Sequence, residues 1–145
     1  MSYKVNNQSD ITDILVPRAI FSAGGLWFCG SDAYGRFGDN STASKSSPVQ
    51  TIAGGTNWKQ VAVGYQHSAG IKTDGSLWLW GNDAYGRLGD NSTVSKSSPV
   101  QTICGGTNWK QVGVTYYHTA AIKNDGTLWC CGYNNYSQIG DGTST

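Results

Sequence analysis

Between Asp74 and Asp90 the chain reads DGSLWLWGNDAYGRLGD, and its apolar residues alternate in extended register. Leu77 and Leu79 point to one side of such a segment, and Trp78 and Trp80 to the other. With both sides apolar, the pattern predicts a strand buried on two faces rather than one face of an open sheet. The Asp74-Gly75 pair ahead of it predicts a two-residue hairpin, since such turns need residues at positive φ. The stretch also recurs. Leu26, Leu77 and Leu128 stand at a fixed spacing of 51 residues, as do Trp27, Trp78 and Trp129 and then Gly30, Gly81 and Gly132. A period of about 50 residues marks units that cannot bury a hydrophobic face alone and must stack on neighbours.

Laid along that period, the chain divides into an N-terminal arm (1–9), an abbreviated blade (10–52), a fuller blade (53–103) and an incomplete one (104–145). Ile11 to Val16 overlays Trp58 to Val63, so the first blade keeps an inner strand but lacks the His-bearing turn, and Pro17 ends that strand. A hairpin turning at Ala23-Gly24-Gly25 follows. In the second blade the polar run from Asn91 to Ser98 reads as an outer loop ending at Pro99, Val100 to Ile103 as a short outer strand, and 104–108 as a Gly-rich connector. The third repeat stops before its SSPVQTI segment, so a neighbouring chain or the arm around Tyr3-Lys4-Val5 is expected to supply the last strand. The fold class expected is all-β: about three blades of antiparallel strands, completed by oligomerisation.

The succession DGxLWxWG, NxxGxLGD, SSPVQ, WKQV and HSAxIK, covering nearly everything from Gly24 to Gly142, resembles the repeat of the regulator of chromosome condensation family. That resemblance implies a β-propeller. It implies no single function, because the family includes an exchange factor for a small GTPase, a β-lactamase inhibitor and ubiquitin-ligase segments. The opening SDITDILVPRAIF running into a GLW blade is similar to the start of bacteriophage and marine viral members, which implies a virion component.

Composition narrows the classes. Ten Lys and Arg against nine Asp and Glu, with 13% charged residues, leave no basic stripe for a phosphate backbone, so no nucleic-acid partner is expected. No apolar run is long enough to span a bilayer, and MSYKVNNQSD has no signal-peptide core. The expectation is a soluble protein without membrane partner or export signal, located in a virion or host cytoplasm if viral. Cys29 and Cys131 stand where Trp80 does, Cys130 where Leu79 does and Cys104 where Ala53 does. The four therefore read as small apolar residues, with a redox role of the vicinal Cys130 and Cys131 as the alternative.

Candidate chemistry is sparse. His67 and His118, the only histidines, occupy one position in successive blades. They are either imidazoles presented to a ligand or turn residues bonded to backbone. Asp39, Asp90 and Asp141 sit in GDNST, GDNST and GDGTS, where Asx turns account for them better than calcium does. No Ser-His-Asp or Cys-His set and no carboxylate pair stands out, so no catalytic residue, metal site or cofactor is expected. The binding candidates are Tyr65, Tyr116 and Tyr117 beside the His turns, the two histidines themselves, and Trp58 and Trp109, because Tyr and Trp dominate interface hot spots. Tyr34, Tyr85 and Tyr136 of the AYG-type turns read as packing between blades. The function expected is a non-enzymatic structural or binding module whose partners are copies of itself, another protein or a virion component. The alternatives are a soluble regulator of exchange-factor or enzyme-inhibitor type and a designed or truncated fragment.

Overall fold

In the computed structural model the described residues, 18–22, 25–53 and 55–144, form ten strands and no helix. Strands β1 (Arg18–Ser22), β2 (Gly25–Gly30) and β3 (Lys45–Gln50) make the first antiparallel sheet. Strands β4 (Trp58–Val63), β5 (His67–Lys72), β6 (Leu77–Gly81) and β7 (Lys96–Gln101) make the second, in chain order. Strands β8 (Trp109–Val114), β9 (His118–Lys123) and β10 (Leu128–Gly132) make the third. Each sheet is one blade, and β10 has no described strand on its outer side. The arm, the Ile11 to Val16 segment, the Ala23-Gly24 corner and the opening on which the virion reading leans lie outside the described residues, apart from 18–21.

Two local expectations need correction. The β5–β6 connection runs from Thr73 to Ser76, with Lys72 N bonded to Ser76 O at 3.0 Å, and Gly75 alone in it has positive φ, 83°, so the turn is not the two-residue type that needs it twice. Gly75 is also required by space, because a Cβ there would lie 2.0 Å from the Thr107 carbonyl of the next connector. The outer strand β7 begins at Lys96 and contains Pro99. Proline is tolerated there because β7 is the sheet's edge and Pro99 needs no inward N–H.

The core lies between sheets, as the two-sided pattern of β6 requires. Leu77 and Leu79 pack with Trp109, Val112 and Ala121 of the third blade, while Trp80 packs with Leu26, Phe28 and Phe37 of the first. Each such side chain removed from water contributes roughly 1.5–3 kcal/mol. Polar staples fix the stacking. The Arg36 carbonyl accepts from Ser68 Oγ at 2.9 Å and Trp80 Nε1 at 2.6 Å. One blade on, the Arg87 carbonyl accepts from Thr119 Oγ1 at 2.8 Å and the Cys131 thiol at 3.2 Å. Gln60 mimics a peptide group. Its amide donates to Val112 O at 3.0 Å and accepts from Val112 N at 3.3 Å, tying β4 to β8.

Candidate functional site

The antiparallel order brings the β2–β3, β4–β5, β6–β7 and β8–β9 connections, and the segment after β10, to one end of the blades. Every tyrosine of the described residues stands there: Tyr34, Tyr65, Tyr85, Tyr116, Tyr117, Tyr133 and Tyr136. Tyr65 stacks on Tyr116 with centroids 4.6 Å apart, and Tyr116 meets Tyr117 edge-on at 4.3 Å. Tyr133 then joins Tyr85 at 4.9 Å, Tyr117 at 5.7 Å and Tyr136 at 6.2 Å. The rings form one continuous field across the second and third blades. Tyr85, Tyr116, Tyr117 and Tyr136 remain 47%, 42%, 40% and 81% exposed, so the field faces solvent.

Two buried arginines brace it from beneath. Arg36 donates to the carbonyls of Tyr65 and of Ser31, and Arg87 to Gln66 Oε1 at 2.8 Å and Tyr116 O at 2.9 Å. The Arg87 guanidinium also sits under Tyr85 and Tyr117, 5.3 and 5.5 Å from their centroids. The sequence places these groups through NDAYGRLGD. Asp83 Oδ1 accepts from Leu88 N at 2.9 Å, Gly86 and Gly89 take positive φ, and the tight loop directs Arg87 inward. Asp32 does the same for Phe37 N at 3.0 Å. Burial pushes both Asp32 and Asp83 up to about 6, and it lowers Arg87 from its ordinary value. The Tyr116 phenol is raised, first by desolvation and then by Tyr117 and Tyr65.

The other candidates play internal parts. Trp58 and Trp109 are 5% and 2% exposed, so they hold blades together and cannot anchor a partner. Lys72 lies over Trp58 and Trp78 at 5.1 and 4.8 Å, and Lys123 repeats this over Trp109 and Trp129. His67 is fully buried, and its Nε2 meets Thr119 Oγ1 at 2.9 Å. Because the Thr119 hydroxyl donates to Arg87 O, His67 is the donor and its Nδ1 is bare. Burial lowers its pKa to about 3, which leaves no imidazole for an external ligand. His118 is half-buried and spends Nε2 on Tyr133 O at 2.6 Å. Asp39, Asp90 and Asp141 accept from the backbone N of Ser41, Ser92 and Thr143, which is the Asx turn expected. Among the described residues no three His, Cys, Asp or Glu side chains group to hold a metal.

Tyr34, Tyr85 and Tyr136 were expected between blades and instead lie on the open loops. The arginines and Tyr133 were not singled out from the sequence at all. The signal available was Arg at a fixed place in both AYGR turns, and Tyr133 replacing Asn82.

Models described as the regulator of chromosome condensation (RCC1) repeat match residues 23–71 and 74–122, and, in a second form, 58–87 and 109–138. The ultraviolet-B receptor UVR8 of Arabidopsis thaliana is 30% identical over 86% of this chain, which spans 29% of UVR8. The human E3 ubiquitin-protein ligase HERC2 is 30% identical over 81% of the chain, and the match occupies 3% of HERC2. Among solved structures, Prp20p of Saccharomyces cerevisiae superposes with TM-score 0.75 at 18% identity, over 88% of this chain and 34% of its own. That work concerns Prp20p's binding to Gsp1p and histones, and a second yeast RCC1 (Prp20) structure is bound to Kap60. Human WBSCR16 superposes with TM-score 0.72 at 24% identity, over 82% of this chain and 31% of its own.

Proposed function

Because the chain belongs to the regulator of chromosome condensation (RCC1) repeat family, we propose that it is a non-enzymatic docking module whose tyrosine face binds a partner protein. One observation carries this reading. Three solvent-facing tyrosines, Tyr85, Tyr116 and Tyr117, are held ring to ring above a buried Arg87 that bonds the Tyr116 carbonyl and lies under the other two rings, fixing them before any partner arrives. Aromatic groups with few rotors, fixed in advance, lose little entropy on binding and form the usual centre of an interface. Partner binding by Prp20p, a protein of the same fold, supports the reading. The test is affinity capture from extract, followed by titration of each purified binder against variants. Tyr85→Ala and Tyr117→Ala should each weaken binding tenfold or more. Ile103→Ser, at the opposite end of the blades and 66% exposed, should change it by less than twofold. Binding that Ile103→Ser weakens and the tyrosine variants leave intact would overturn the assignment.

A second reading, self-association, rests on a different surface. Leu128 and Trp129 of β10 are 64% and 43% exposed, while Leu77, the counterpart of Leu128 one blade earlier, is 2% exposed beneath the next blade. A second copy seated on this face would cover it in the same manner. Light scattering across a concentration series should then show an oligomer that Leu128→Lys disperses. A monomer at every concentration overturns this reading and leaves the first untouched.

A further inference from the structure

The junction between the second and third blades holds a cavity of about 50 Å³. Its wall includes Leu88 and Trp109, Cys104 on the connector that leaves β7, and Cys130 and Cys131 of β10. A shallow depression beside it is lined by Cys104 and Cys131. Cys104 follows β7 on a surface turn, where its N–H bonds Thr102 Oγ1 at 3.1 Å, and it is exposed. Cys131 is partly buried in β10 and donates its S–H to Arg87 O. Thr102 and Cys131 converge on one spot, since a Cβ at Gly89 would sit 3.9 Å from Thr102 Cβ and 3.4 Å from Cys131 Sγ.

The other junction provides an internal control. There the two positions are Ala53 and Trp80, and both pack into the aromatic cluster. Within a repeat that differs at only four places between residues 30–61 and 81–112, Ala53/Cys104 is one of the four. The change falls beside the one junction where Trp80's place is taken by Cys131. The indole's departure leaves room, and the second thiol lines that room. Cys130 is differently placed. It borders the cavity but not the depression, and because adjacent residues of a strand face opposite sides, Cys130, opposite Ala120, is turned away from Cys131, opposite Thr119.

We propose that Cys104 and Cys131 are the site of a disulfide clasp that ties the β7–β8 connector to β10 at the junction of the second and third blades, formed by a low-molecular-mass disulfide such as oxidised glutathione. The exposed Cys104 thiolate attacks one glutathione sulfur, that S–S bond breaks, and one glutathione thiolate leaves. Cys131 then gives up its proton, its sulfur attacks the Cys104 sulfur, and the second glutathione leaves. Two protein thiols are oxidised and one glutathione disulfide is reduced to two thiols. Burial pushes the Cys131 thiol up to about 12, so the second step is slow and accelerates with pH.

The full chain is incubated with oxidised glutathione at pH 8, alkylated and cleaved after lysine. Cleavage at Lys110 and Lys123 places Cys104 and Cys131 on different peptides. The expected product is one cross-linked pair two hydrogens lighter than its reduced parts, present in Cys130→Ser and lost in Cys131→Ser and in Cys104→Ser. The clasp should also raise the thermal midpoint by several degrees, reversed by reductant. A stable glutathione adduct on Cys104, a link to Cys130 or a link between two chains would each overturn the proposal. The exposed position of Cys104 keeps the test valid if Cys131→Ser fails to fold.

Discussion

The chain stacks its blades twice with one set of backbone staples and two different fillings. At the junction of the first and second blades, Phe28 and Phe37 stack at 5.8 Å and Trp80 meets Phe28 edge-on at 6.0 Å, with Trp58 against its other side. At the next junction the same places hold Leu79, Leu88, Cys131 and Trp109. The polar frame is retained nonetheless. Trp80 Nε1–H and Cys131 S–H both donate to the arginine carbonyl, and Ser68 and Thr119 add the second bond. The difference teaches that donors and tight loops set how blades stack, while side-chain volume sets how firmly. It also explains why a cavity bordered by Cys104 and Cys131 lies at the second junction, where no indole fills the space.

The largest effect expected from breaking this comparison is at Trp80. Trp80→Ala removes a fully buried indole and its 2.6 Å bond, and should cost about 3–5 kcal/mol in denaturant unfolding. Cys131→Ala removes one sulfur beside an existing cavity and should cost about 1 kcal/mol. Equal costs would mean that filling does not distinguish the junctions.

The fold was legible because the period, the doubly apolar LWLW strand and the Asp-Gly turns are local and repeated. The site was legible only in part. Tyr65, Tyr116 and Tyr117 could be picked out beside the His turns, but their union with Tyr85 and Tyr133 depends on how blades sit together. Repetition itself misleads here. His67 and His118 look equivalent in sequence, yet among the described residues a further blade covers only the first. Gly64 is where His118's neighbour Thr115 would be, because a Cβ at Gly64 would lie 2.7 Å from the Thr115 carbonyl of that covering blade. No single repeat encodes that contact. Likewise the tryptophans of the WK strands are large and aromatic, as hot spots are, and only packing shows them to be core.

A smaller effect, read through pH, sharpens the contrast at His67, which bonds across the second junction. Above pH 6.5 the imidazole is neutral folded or unfolded. As pH falls towards 3 the unfolded chain takes up a proton that the folded one refuses, so this contribution is lost. The stability of the native chain relative to His67→Gln should therefore decline by up to about 1.4 kcal/mol per pH unit across that window. Asp32 and Asp83, raised to about 6, act in the opposite sense, but they are present in both proteins and cancel in the difference. A gap that stays constant with pH would show that His67 titrates in the folded state as it does unfolded.

The smallest effect tests whether the terminal blade shows a better solution than the middle one. Asp83 sits near Asp90, and one of its oxygens is buried without a partner. In the third blade the matching pair is Asn134 and Asp141, and Asn134 Nδ2 reaches Asp141 Oδ1 at 3.4 Å while Oδ1 still accepts from Ile139 N at 3.0 Å. Asp83→Asn should keep the bond to Leu88 N, replace a repulsive carboxylate pair with a donor, and stabilise by about 1 kcal/mol at pH 8. Below pH 6 the native Asp83 is itself protonated and can donate to Asp90, so the gain should vanish as pH falls. A gain independent of pH would trace the benefit to packing rather than charge. A loss at pH 8 would show that Asp83 is needed as the counter-charge to Arg87, and that the tyrosine face depends on it.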